Sequence, residues 1–138
     1  MSNNRAISLE WTGEGMRFQG GGVDPQTPPI ILDGRGEEGP TPMDGLLLAA
    51  AGCAGADIVV ILKKMKVALN TVSIDLVGER RPEHPKRYVS LKYVFRLAGE
   101  GLERSKAERA VRLSLNKYCS VTQSLNPDVK VDYEIELL

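Results

Sequence analysis

The run from Leu46 to Leu62 limits what this chain can become more than any other part of it. It is about 17 residues long and apolar apart from Asp57, short for a bilayer crossing, which needs about 20 residues. The reading is a buried core helix. Thr41 is a suitable N-cap, Pro42 fits the first helical position, and Asp44 follows Thr41 by three residues, as in a capping box with aspartate in place of glutamate. Lys63, Lys64 and Lys66 suit the negative end, so the helix is expected to run to Lys66. With apolar residues on nearly every side, it should be buried all round. Gly45, Gly52 and Gly55 each weaken a helix by roughly 1 kcal/mol relative to alanine, which suggests that another backbone passes close by.

Around this helix the chain alternates in the manner of strands. Ile7 to Trp11 and Met16 to Gln19 flank Thr12-Gly13-Glu14-Gly15, a hairpin turn. Gly20 to Pro29 reads as loop, and Pro29 to Leu32 as a short strand. After the helix, Val72, Ile74 and Leu76 alternate, as do Val89, Leu91, Tyr93, Phe95 and Leu97, with the polar Arg80 to Lys86 between them. This is the pattern of an antiparallel sheet with one solvated face. A second helix is expected from Ser105, boxed by Glu108, with Ala107, Ala110, Val111, Ser114 and Tyr118 on one face and Cys119 at its end. Val129 to Leu137 is a last strand with Val129, Val131, Tyr133, Ile135 and Leu137 directed inward. The order implies a single α+β domain over residues 1–138 with mostly antiparallel sheets.

Lysine plus arginine and aspartate plus glutamate both number 18. A chain with no basic excess offers little to nucleic acid or to an anionic membrane surface. Met1-Ser2-Asn3-Asn4-Arg5 leads into no apolar stretch of signal-peptide length, so the expected compartment is the cytoplasm, where thiols are kept reduced. There the two cysteines, Cys53 in the first helix and Cys119 at the end of the second, are either inert buried thiols or a reactive pair. A thiolate needs a cation, for which Arg17 and Arg35 are candidates. Asp57 lies one turn beyond Cys53 on the same face and, as a carboxylate in an apolar helix, needs a partner such as an arginine or a backbone group. His84, the sole histidine, sits in Pro82-Glu83-His84-Pro85, a loop. Two cysteines and one histidine match no closed zinc spacing, so neither metal nor cofactor is expected.

The stretch Gly39-Pro40-Thr41-Pro42-Met43-Asp44-Gly45-Leu46-Leu47-Leu48-Ala49-Ala50-Ala51-Gly52-Cys53 resembles the first-cysteine helix of the OsmC/Ohr family, the osmotically inducible protein C and organic hydroperoxide resistance proteins. Ala110-Val111-Arg112-Leu113-Ser114 and Lys117-Tyr118-Cys119-Ser120-Val121 resemble its second-cysteine segment, and Glu79-Arg80 with Glu83-His84-Pro85-Lys86 resembles the OsmC-like branch. The resemblance implies an intertwined homodimer with the long helices at its centre. It implies reduction of organic hydroperoxides and hydrogen peroxide, with Cys53 peroxidatic, Cys119 resolving, and a lipoyl-type dithiol or small thiol as reductant. Arg17 is the nearest match to the family's arginine near the first hairpin, with Arg35 the alternative. Met43 stands where well-characterised members carry glutamate, leaving Asp44 as the orienting carboxylate. The alternative is a slow or non-catalytic dimer on the same fold that senses redox state or binds a small molecule. A third reading is a structural module with inert thiols.

Overall fold

A computed structural model describes residues 3–138. The chain divides into two compact units, Met1–Leu46 and Leu47–Leu138.

In the first unit, β1 (Ile7–Trp11), β2 (Arg17–Gly22) and β3 (Ile30–Asp33) form an antiparallel sheet in that order. β2 runs further than the expected Met16 to Gln19, because Gly20, Gly21 and Gly22 are strand and pair with Leu9, Ser8 and Ile7. Glycine at position 20 has a steric reason: a Cβ there would strike the Ser8 carbonyl oxygen and lie 2.9 Å from Leu9 Cα. Leu9, Trp11, Met16, Phe18 and Leu32 wall an apolar cavity of about 430 Å³.

α1 spans Pro42–Lys64. Thr41 caps it, its Oγ1 accepting the Asp44 N–H at 3.1 Å. The helix stops two residues before the expected Lys66, which adopts a left-handed φ of 64°. Val67 N–H bonds back to the Leu62 carbonyl at 3.0 Å and Lys66 N–H to that of Lys63 at 3.0 Å, closing the terminus. Within the single chain the helix is not buried all round. Ala50, Ala54, Ile58 and Leu62, four apart, make one buried stripe, while Leu48, Val59 and Val60 are 61%, 47% and 53% exposed. Among the described residues of the single chain, no other backbone lies within 4 Å of a Cβ built at Gly45, Gly52 or Gly55. Gly52 has nothing within 4 Å of a built Cβ, and Gly45 and Gly55 meet the side chains of Leu32 and Ile74. By length and apolarity alone α1 could cross a membrane; one stripe of it is packed in the core of the second unit.

In the second unit, β4 (Ala68–Arg80), β5 (Tyr88–Glu100) and β6 (Lys130–Leu137) form a second sheet in that order. β4 and β5 are antiparallel; β5 and β6 are parallel. Parallel pairing requires a crossover, supplied here by α2 (Arg104–Leu113), a π-helical turn (Ser114–Tyr118) and the short α3 (Ser120–Gln123). α2 begins one residue before the expected Ser105, with Glu103 as N-cap and no side-chain cap bond, so the anticipated Ser105–Glu108 box is absent. The alternation in β5 is realised: Leu91, Tyr93, Phe95 and Leu97 are all within 1% of full burial, and the Tyr93 and Phe95 rings stack with centroids 5.3 Å apart. Lys92 and Arg96 on the other face pair with Glu134, Asp75 and Glu136 of the neighbouring strands. β6 is a shallower edge than its pattern promised, with Val131, Ile135 and Leu137 half-buried and Tyr133 38% exposed. His84 lies in the β4–β5 loop, joined to Pro85 by a cis peptide.

Phe95 fills the centre of this core, so Phe95→Ala should destabilise the protein by about 3–5 kcal/mol. Urea unfolding followed by circular dichroism measures it; a loss under about 1 kcal/mol would contradict the packing described.

Candidate thiol site

The second unit brings both cysteines together. Cys53 stands in α1 on the flank of the buried stripe and is half-buried; Cys119 follows the π turn and is fully buried. The sulfurs of Cys53 and Cys119 and a carboxylate oxygen of Asp57 all lie within 4.8 Å of one another. Both thiols are free.

The π turn sets the position of Cys119. Its backbone N–H bonds to the Ser114 carbonyl, five residues back, at 2.7 Å. One residue more per turn than in an α-helix swings Cys119 back over the side occupied by Ser114, and the same shift turns Tyr118 out, 50% exposed. The expectation that Tyr118 continues the inner face of α2 is thereby corrected; Ala107, Ala110, Val111 and Ser114 do form that face. Cys119 adopts extended backbone angles and its carbonyl accepts the Gln123 N–H, starting α3.

Three hydroxyls, none visible as functional in the sequence, organise the site. Ser114 Oγ donates to Asp57 Oδ2 at 2.9 Å and also lies 3.5 Å from the Ala54 carbonyl oxygen. The partner that Asp57 requires is therefore a serine five residues before the second cysteine. Thr122 Oγ1 is 3.0 Å from Cys119 Sγ and 2.8 Å from the Tyr93 hydroxyl. The Cys119 thiol is also 3.8 Å from the Ala50 carbonyl oxygen. Burial pushes the Cys119 thiol above the ordinary cysteine range; hydrogen bonds with Thr122 draw it partly back, and Cys53 alongside pushes it up again. Burial also raises the Tyr93 phenol. Beside Asp57 opens a cavity of about 400 Å³, walled by Val60, Ile61, Leu113 and Tyr118, with Lys64 and Arg109 also in its lining.

Arg17, Arg35 and Asp44, the other catalytic candidates from the sequence, belong to the first unit. Arg17 faces three carboxylates: Glu14 at 3.1 Å, Glu38 at 3.6 Å and the buried Asp33 at 3.7 Å. Arg35 contributes its backbone N–H to Asp33 Oδ1 at 2.8 Å. That bond and one from the Glu38 N–H hold the Asp33 carboxyl below its usual range. Asp44 sits in the first turn of α1, its N–H bonded to the capping Thr41. His84 is not in the cluster formed by Cys53, Cys119 and Asp57.

Residues 34–134 match the family described as OsmC-like protein, and the chain belongs to it. Its fold is that of the OsmC/Ohr proteins, and its two neighbouring cysteines fit a redox role. Among its relatives, the chain is 34% identical to Protein YhfA of Escherichia coli K12 over 131 residues, 94% of this chain and 96% of that one. A crystal structure of a hypothetical protein from Aquifex aeolicus VF5 is 30% identical, with a TM-score of 0.83 over 99% of both chains. An organic hydroperoxide resistance protein OsmC from Legionella pneumophila shares the fold, with a TM-score of 0.64 over 96% of both chains at 18% identity.

In the native protein, a small alkylating reagent should label Cys53 well before Cys119. Cys119 labelling, followed in Cys53→Ser, should rise only at pH values above the ordinary thiol range, and Thr122→Val should move that rise higher still. Mass spectrometry of labelled peptides reads both; a Cys119 that labels fastest at neutral pH would contradict the geometry.

Proposed function

We propose that the protein is a thiol-dependent peroxidase that reduces organic hydroperoxides, and hydrogen peroxide, through Cys53 and Cys119. The observation that carries the reading is the approach of the two sulfurs to within 4.8 Å, with Cys53 the more accessible. The Cys53 thiolate attacks the peroxide O–O bond; the alcohol leaves and the sulfur becomes a sulfenic acid. Cys119 attacks that sulfur, water leaves, and a disulfide forms. An external dithiol, of lipoyl type or a small thiol, restores both thiols by exchange. Family membership supports the substrate class, as does the likeness in fold to the Legionella organic hydroperoxide resistance protein. Following the family resemblance, the reading keeps Arg17, with Arg35 as the alternative, as the cation that stabilises the thiolate or peroxide, and Asp44 as a weaker orienting carboxylate.

Cumene hydroperoxide should be turned over with dihydrolipoamide as reductant. Cys53→Ser should abolish peroxide consumption. Cys119→Ser should permit one oxidation and then drift to the irreversible sulfinic acid, because resolution is lost. Intact mass after one equivalent of peroxide should show the wild type two hydrogens lighter with both thiols blocked. Stoichiometric oxidation without turnover would point instead to a redox sensor on the same fold.

The working unit proposed is a homodimer. The support is the outer face of α1, where Leu48, Val59 and Val60 are exposed together on a helix apolar enough for a core. Sedimentation should find a dimer at micromolar concentration, and Val60→Glu should weaken it; a folded wild-type monomer under those conditions would refute it.

A further inference from the structure

We infer that Asp57 is the proton acceptor that frees Cys119 for attack when the Cys53–Cys119 disulfide closes. This rests on the two-cysteine reading above and gives a role to a residue which that reading leaves unused. A thiol must lose its proton before it is a useful nucleophile. Cys119 is poorly placed to do so by itself, because it is fully buried and burial opposes the thiolate.

Its surroundings offer few places for the proton. The Ala50 carbonyl, at 3.8 Å, is an amide oxygen and holds no proton at neutral pH. Thr122 Oγ1, at 3.0 Å, is an alcohol, and the Tyr93 hydroxyl behind it is kept protonated by its own burial. That chain orients the sulfur without taking up a net proton. The basic group in the cluster is the Asp57 carboxylate, one oxygen of which lies within 4.8 Å of both sulfurs, a gap closed by rotation of the side chain or by one bridging water. Ser114 holds the carboxylate in place by donating to Oδ2 at 2.9 Å, and the Ser114 carbonyl receives the Cys119 N–H at 2.7 Å. One π turn therefore carries both the nucleophile and the anchor of its base. The cavity beside Asp57 gives the carboxylate a route to exchange protons with solvent.

The step balances without a further reagent. The Cys119 proton passes to Asp57 as the Cys119 sulfur bonds to that of the Cys53 sulfenic acid. The S–O bond breaks, and hydroxide leaves and takes the proton from Asp57, giving disulfide and water. The charged or titratable groups around the pair are Cys53 and Lys64 on α1, Tyr93 on β5, Arg109 on α2 and Tyr118 on the π turn.

Ellman's reagent, an aromatic disulfide, tests this without peroxide. Cys53 reacts first and releases one coloured thiolate; Cys119 then displaces the second. Asp57→Asn should leave the first release at least as fast as in the wild type, since a negative charge near Cys53 is gone. It should slow the second by roughly tenfold or more at pH 7, and the deficit should shrink as pH rises and hydroxide takes over as base. Ser114→Ala should give a smaller slowing with the same pH trend. A second release at wild-type rate in both variants, or one slowed by the same factor at every pH, would overturn the inference. Neither release consumes peroxide, so a chain inert to hydroperoxides would defeat the peroxidase reading and leave this result standing on its own.

Discussion

The approach of the 114–119 segment to the backbone of α1 is the contact on which the rest of the site depends. Ser114 reaches the carbonyl of Ala54 and the carboxylate of Asp57, and Cys119 reaches the carbonyl of Ala50. All three contacts need a helix surface without bulk. Ala50 and Ala54 supply it, one turn apart on the buried stripe. A larger residue at either position would hold the two segments apart, and with them the two sulfurs. The composition of α1 is thus a requirement of the thiol site as much as of the core.

The π turn is the second requirement. Had the α2 helix continued regularly through residue 118, Cys119 would point away from the side where Ser114 meets Asp57. The extra residue per turn costs regular α-helical bonding at the end of α2, and the loss is offset by the Cys119 N–H to Ser114 bond and by the hydroxyl pair Thr122–Tyr93 beneath the sulfur. The strand core supports that pair in turn, since Tyr93 is held by stacking on Phe95 in the middle of β5. Sheet, crossover and helix therefore meet at one buried thiol.

Much of the fold was legible in residue patterns. The alternation Leu91, Tyr93, Phe95, Leu97 identified β5 and its inner face, and Thr41-Pro42 marked the start of α1. The parallel pairing of β6 was not legible, because alternation is the same for either strand direction and only the helical crossover fixes it. Gly20 to Gly22 read as loop on composition, yet they are strand, since a closely approaching neighbour excludes a side chain at Gly20. An α-helical period places Tyr118 on the inner face, but the chain abandons that period at Ser114.

The sequence by itself determined that two thiols exist, that one lies in an apolar helix beside an aspartate, and that the other ends a helical segment. Those are local properties, set by side-chain chemistry and by spacing along one element. The tertiary structure decided that the thiols face each other, that Cys119 is the buried one, and that Asp57 is satisfied by Ser114 instead of by an arginine. These depend on residues about 60 apart in the chain, and no local period encodes a meeting at that range. It is fixed by the shape of the surfaces that pack: small residues on α1 against a turn wound one residue wider than the helix before it.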